Sequence, residues 1–265
     1  MVVNKPVLGV AAAVIAAAAA WYYLQGRHAA GPSTPSAAQL PAPELTAESQ
    51  VQNPLPAAQD GSASRGPLPM LADSDAALLE ALGAAAGTAP VKDHLLPENI
   101  IRHMVVTIDN LPRQKVAVQK RPAGPVEGSF AAEGDESHAT LDPKNFARYQ
   151  PLVQAATKID MHALAAVYVR FYPLFQQAYQ DLGYPNGYFN DRLVQVIDNL
   201  LAAPEPRGPV DLIRPNVMYL FADPALESRP AGQKLLIRMG SDNAAAIKLK
   251  LKELRTAITA VPPKR

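Results

Sequence analysis

The sequence predicts a mainly α-helical domain, preceded by a transmembrane helix and a disordered linker. Three observations lead there. From about Met70 to Ala260, apolar residues recur three and four positions apart, the spacing of one helix face. Those runs open on Asp, Ser or Pro and close on Gly or Pro, the residues that start and stop helices. Ahead of them lie a charge-free run of 18 residues, Val7–Leu24, and a stretch rich in Pro, Ala and Ser without any period.

Residues 1–6 are a short tail carrying Lys5. At 1.5 Å per residue, the run over 7–24 reaches roughly 27 Å, enough to cross a hydrocarbon core. It ends in Trp21-Tyr22-Tyr23, rings that favour the headgroup boundary. A cleavable signal needs small residues there, so the sequence favours an uncleaved anchor over cleavage after the alanine tract. Flanking positive charge is nearly balanced between Lys5 and Arg27. The short tail favours a cytoplasmic N-terminus, a single pass through a bacterial inner membrane and a main domain in the periplasm; a cytoplasm-facing domain is the alternative.

Residues 25–69 cannot bury enough apolar surface to offset the entropy of ordering them, so a disordered spacer is expected. It spans roughly 35–40 Å as a coil and up to ~140 Å as polyproline II.

The remainder, 70–260, is the size of one domain with a proper core, followed by a tail at 261–265. Ser74 or Asp73 caps a first helix over 75–86, with Leu78, Leu79 and Leu82 on one side. Pro97 suits the first position of a second helix bearing Ile100, Ile101, Met104, Val105, Ile108 and Leu111. Pro112 ends it. Around 113–140 the pattern weakens: Val116 and Val118 alternate, Val126–Phe130 resembles a short strand, and either a small β-hairpin or an irregular excursion fits.

Asp142-Pro143 starts another helix, which Pro151 interrupts or kinks. Asp160 caps the longest one, whose face includes Met161, Leu164, Ala165, Tyr168, Tyr172, Phe175, Tyr179 and Leu182, with a kink at Pro173 and a stop at Gly183. Tyr184–Gly187 reads as a turn, and Asn190 as the cap of a helix burying Leu193, Val194, Ile197, Leu200 and Leu201. Residues 208–220 read as an extended connector. Pro230–Met239 forms a helix stopped by Gly240, and Ser241 or Asp242 caps the last, with Ile247, Leu251, Leu254 and Ile258 on its buried side.

Composition narrows the chemistry. Absence of cysteine excludes disulfides and thiolate zinc sites. The five histidines show neither HExxH nor an i,i+4 pair, and no phosphate loop or GxSxG elbow occurs. No metal or cofactor is expected. The net charge of +1 conceals a basic C-terminal part, with Lys248, Lys250, Lys252 and Arg255 on the last helix. That face reads either as solvated or as attractive to an anionic polymer or acidic partner. The Tyr168-Tyr172-Phe175-Tyr179 stripe reads either as core or as one wall of a groove.

From about Leu71 to Ile258 the chain resembles the bacterial family called domain of unknown function 3014. Carrying stretches are Asp109-Asn110-Leu111; Leu141-Asp142-Pro143 with Arg148-Tyr149 and Pro151-Leu152-Val153; Leu182 to Gly187; and Gly208-Pro209-Val210. Others are Arg214-Pro215, Tyr219, Phe221 to Pro224, Gln233 to Gly240, and Asn243. The resemblance implies an N-terminal hydrophobic segment and a variable Pro/Ala-rich stretch before the domain. It brings no activity, ligand or catalytic residue.

Within those stretches Arg148, Tyr149, Arg214, Asp223, Arg238 and Asn243 are polar groups beside apolar sequence. They read as docking ion pairs or as one binding site. Two functions follow. The first is a membrane-anchored interaction or scaffold module that meets the bilayer through 7–24 and an envelope protein or anionic polymer through its domain. The alternative is an envelope enzyme assembled from Arg148, Asp223, Arg238 and an unrecognised base. Nucleic acid is not an expected partner.

Overall fold

The periodic apolar residues do fold as helices, eight of them among the described residues. The structure is a computed structural model describing residues 50–56, 66–88, 91, 95–114, 122–124, 126–135, 138–216 and 218–259. A 3-10 turn at Leu71–Asp73 leads into α1 (Asp75–Ala86) and α2 (Ile100–Asn110). A hairpin of β1 (Ala132–Gly134) and β2 (Ala139–Leu141) precedes α3 (Lys144–Lys158), α4 (Met161–Asp181) and α5 (Phe189–Leu201). Then come β3 (Asp211–Ile213), β4 (Leu220–Phe221), α6 (Pro224–Glu227), α7 (Ala231–Arg238) and α8 (Ser241–Ile258). The domain is mainly helical with one small antiparallel sheet.

Helix α4 is central: α1, α2, α5 and α8 all pack on it. Its start follows the sequence, since the Asp160 carboxylate accepts from the backbone N–H of His162 and Ala163. It runs through Pro173 as one element. Being covered on several sides, it buries Val167, Phe171, Leu174 and Ala178 as well as Met161, Ala165, Tyr168, Phe175 and Tyr179 of the expected stripe, whereas Leu164 and Tyr172 are half-buried and Leu182 remains exposed. Helix α3 likewise continues through Pro151. Each proline forfeits one intrahelical bond, and packing of the flanking turns compensates.

Three starts differ from expectation. Helix α2 begins at Ile100, not Pro97, because the Asp75 carboxylate of α1 accepts from the N–H of Asn99 (2.7 Å) and Ile100 (2.8 Å). Asn99 adopts φ +52°, a conformation asparagine tolerates. Ser74 flanks α1 without capping it through its side chain; its hydroxyl donates to the Leu71 carbonyl. Asn190 is no cap either: α5 already starts at Phe189, and Asn190 lies inside it, 1% exposed.

The excursion around 113–140 resolves as the hairpin alternative, displaced from the expected strand. Val126–Phe130 is not a strand, and pairing begins at Ala132↔Leu141. Val116 and Val118 lie outside the described residues. The expected connector at 208–220 supplies β3 and the first residue of β4, completing a sheet of order β1-β2-β3-β4 through Ala139↔Leu212 and Leu212↔Phe221. One sheet face is covered: Ala139, Leu141, Leu212 and Phe221 bury against Ile237 of α7. The other presents Ile213 to solvent, as one-sided antiparallel sheets do.

Gly240 joins α7 to α8 at φ +87°, and a β-carbon there would meet the Phe146 ring at 2.7 Å. Gly240→Ala combines a left-handed backbone with overpacking and should cost about 2–4 kcal/mol, read as a lower denaturant midpoint with unchanged m-value.

The expected span over 7–24 lies outside the described residues, as do most of 25–69 and the tail. No helix among the described residues is long and apolar enough to cross a membrane. Within the expected linker, 50–56 departs from disorder: it lies on α5, held by side chains of Asn190 and Asp191, with Leu55 packed on the core.

Candidate functional site

The six polar residues marked by the sequence divide between one cluster and two separate contacts. At the cluster's centre is Arg238, at the end of α7, 1% exposed. Its guanidinium sits over the rings of Phe221 (4.7 Å) and Phe130 (5.8 Å), and Nη2 donates to the Tyr219 carbonyl at 3.0 Å. Burial pulls its pKa down to about 9, opposed by the fields of Glu227 and Tyr149. Glu227 itself accepts from Lys234 Nζ (2.7 Å) and the Phe221 N–H (3.0 Å).

Tyr149 of α3 is 2% exposed, and burial raises its phenol pKa despite the nearby cations Arg148 and Arg238. Arg148 ties a loop to α3: Nε donates to the Glu127 carbonyl, Nη2 to that of Gly128, and Nη1 to Asn145 Oδ1. Arg214 joins through an exposed stack, 5.3 Å from the Tyr219 ring centre.

The other two stand apart. Asp223 caps α6, its Oδ1 accepting from the Ala225 N–H at 2.8 Å. Asn243 ties α8 to α3 by donating to the carbonyls of Phe146 and Met239. Asp223 is thus engaged as a helix cap, while Arg148 holds the loop at Glu127–Gly128 and Arg238 the Tyr219 carbonyl. These side chains hold the sheet, α3, α7 and α8 together.

A second polar centre had no sequence assignment. Asp109, 2% exposed near the end of α2, receives Arg192 Nε on Oδ1 (2.9 Å) and Arg113 Nη2 on Oδ2 (2.6 Å). Arg192 Nη2 also donates to the Asp109 carbonyl, and the Tyr184 hydroxyl to Oδ2 at 3.3 Å. A sequence signal exists: Ile101, Val105 and Asp109 are spaced by four, so an acid continues a buried stripe and needs a cation.

The tyrosine stripe proves to be core with a hollow beside it. Tyr168 and Phe175 line an apolar cavity of about 90 Å³, together with Leu78 of α1, Met104 of α2, Phe189 of α5 and Leu254 of α8. The Tyr168 hydroxyl donates to Asn190 Oδ1 (3.1 Å), and burial raises its pKa well above the usual value. Tyr172 donates to Gln176 Oε1, and Tyr179 stacks on Tyr184 at 4.5 Å, neither being among the lining residues.

Burial also raises Tyr172, and Tyr179 to about 12. A tyrosine that keeps its proton longer when folded favours the fold below pH ~10 and loses that contribution as pH rises through its folded pKa. Stability should therefore fall steeply above pH ~10. Tyrosinate absorbance at 295 nm should rise in step with loss of helical circular dichroism; late tyrosines ionising in an intact fold would contradict this.

The basic last helix is largely engaged. Lys248 bonds Glu205 and the Ala203 carbonyl, Lys250 bonds Glu253 and the Ile159 carbonyl, and Arg255 grips Asp198. Lys252 and Leu249 remain exposed. Among the described residues no cluster of His, Asp and Glu is arranged to hold a metal ion.

Fold and site define a helical domain whose small sheet and helix ends are fastened by buried arginines. The chain belongs to the family described as Protein of unknown function (DUF3014), whose model matches residues 100–255. That span contains both arginine centres and Asn190–Asp191, and excludes α1 and the segment 50–56. Comparisons with curated proteins and with solved structures return no match.

Proposed function

We propose that the protein is an interaction module of the bacterial envelope, anchored in the inner membrane by residues 7–24, with its helical domain in the periplasm. The observation that carries the binding part is the cavity. Its lining residues are aliphatic, aromatic or, at Met104, a thioether, and the one hydroxyl, on Tyr168, is already donated to Asn190 and held protonated by burial. Such a site receives an apolar group and has no acid or base of suitable pKa to move a proton. At about 90 Å³ it is smaller than the ~150 Å³ cavity that accepts benzene, so it suits an aliphatic side chain of an envelope protein. The contacts of Asp223 with a helix start and of Arg148 and Arg238 with loop carbonyls support the scaffold reading over the enzyme alternative. The anchor and periplasmic placement rest on the charge-free run and its aromatic end.

A photo-crosslinking residue at Leu164, on the cavity wall, tests this in cells. The expected result is one discrete adduct with an envelope protein, lost when Val167→Phe fills the cavity of a still-folded chain. An adduct that persists in the filled variant, or none at all, overturns the reading.

A further inference from the structure

We propose that Asn190, Asp191 and the apolar surface beside them form a recognition site for a short peptide that bends at two successive residues, which residues 50–56 fill in cis as a latch. The contacts are those of main-chain recognition. Two successive backbone N–H groups meet one carboxylate: Gln52 N donates to Asp191 Oδ2 (3.1 Å) and Asn53 N to Oδ1 (2.6 Å). Returning along the same segment, Asn190 Nδ2 donates to the Asn53 carbonyl at 2.8 Å. The Asn53 side chain adds a bond to Asp191 Oδ1 (3.0 Å).

The next residues fit this mode. Pro54 and Pro56 have no N–H to satisfy and fix their own φ, which stiffens the segment after the bend at Gln52 and Asn53. Leu55 between them packs on the core as the single apolar anchor. The segment is therefore read mainly through its backbone, by the side chains of Asn190 and Asp191, and through one apolar side chain.

The domain supplies its half of the site ready-made. Asn190 is 1% exposed, and its amide is oriented by the Tyr168 hydroxyl on Oδ1 and the Ile258 carbonyl on Nδ2. Three helices, α4, α5 and α8, thus fix the donor before the segment arrives, and preorganisation lowers the cost of binding. Clamp and occupant lie 137–139 positions apart in the chain. Helix α5 does not need residues 50–56 to form its backbone bonds. A segment from another protein, with two free N–H groups followed by Pro-Leu, presents the same atoms and competes for the site. Displacement would free 50–56 and lengthen the spacer ahead of the domain. This inference rests on the polar contacts of Asn190 and Asp191 with the segment backbone and does not depend on the occupant of the cavity, although Tyr168 borders both.

The test uses the full chain in detergent and a fluorescent peptide of residues 49–57. In a chain whose own latch is weakened by Asn53→Gly with Leu55→Ser, the peptide should bind. The wild-type chain should bind it about tenfold more weakly, because a tethered competitor has an effective concentration near the millimolar range. Adding Asp191→Ala to the weakened chain should abolish binding. Amide exchange at Gln52 and Asn53 should speed up at least about tenfold in Asp191→Ala alone, while that of Leu193 and Val194 in α5 is unchanged. No binding by the weakened but folded chain, or equal binding with Asp191→Ala, overturns the proposal. Such a failure leaves the cavity crosslink untouched, so the two readings fail separately.

Discussion

Arg238→Ala should lower domain stability by about 3–5 kcal/mol, the cost typical of removing one partner from a buried charged contact. The guanidinium fills the space between Phe221, Phe130 and Tyr149, and donates to the Tyr219 carbonyl. Truncation leaves both a void and a buried acceptor without that donor. Because Tyr219, Phe221 and Phe130 belong to the sheet and its approach, loss of amide-exchange protection should concentrate at β3 and β4. Arg238→Met separates the two contributions: it refills part of the void with a flexible apolar chain and removes the charge that burial penalises. It should recover part of the loss. Arg238→Lys keeps a cation but lacks the planar group that stacks on the rings, and should recover less.

The lowered pKa of Arg238 adds a signature. With a folded value of about 9 below the ordinary value, the folded state binds fewer protons than the unfolded chain as pH rises past 9. Stability then gains with pH from this group, opposite in sign to the tyrosines that act above pH ~10. Arg238→Met should remove the gain that sets in above about pH 9 in urea titrations.

Asp109→Ala should cost about 3–5 kcal/mol as well, through a different joint. It strips Arg192, whose side chain is 19% exposed, of its carboxylate, and leaves two arginines facing each other at the α2–α5 contact. Arg192→Ala removes the more buried cation and should cost nearly as much. Arg113, 46% exposed, should matter by no more than about 1 kcal/mol. A double-mutant cycle on Asp109 and Arg192 should return a coupling of about 1.5–3 kcal/mol, and the cycle on Asp109 and Arg113 a smaller one. Equal couplings would mean that burial does not set the strength of these pairs.

Helices were the legible part of this chain. Their signals are local: Asp160 caps α4 two residues away, Gly183 and Gly240 end helices with positive φ, and α8 buries Ile247, Leu251 and Ile258 at helical spacing. The sheet was not legible. Its strands hold two or three residues, too few to show a period of two, and β2 pairs with β3 across about seventy residues of intervening chain. The polar centres were half legible. Arg238 and Arg148 stood out as charges beside apolar sequence, yet their roles depend on burial and on carbonyls of distant loops. Asn190 was misread for an instructive reason: asparagine at a helix start is usually a cap, and here tertiary contacts with Tyr168, Asn53 and Ile258 outweigh that preference. The clamp on 50–56 could not be read at all, because nothing in a proline-rich stretch marks which carboxylate will receive its amides.

The anchored, periplasm-facing domain is the premise on which the proposed partner depends, and one measurement addresses it. Alkaline phosphatase and a fluorescent protein that matures only in the cytoplasm are each fused after Arg265. The account predicts phosphatase activity that stays with the membrane fraction and no fluorescence. Fluorescence without phosphatase activity would contradict it and place the binding surfaces before cytosolic partners.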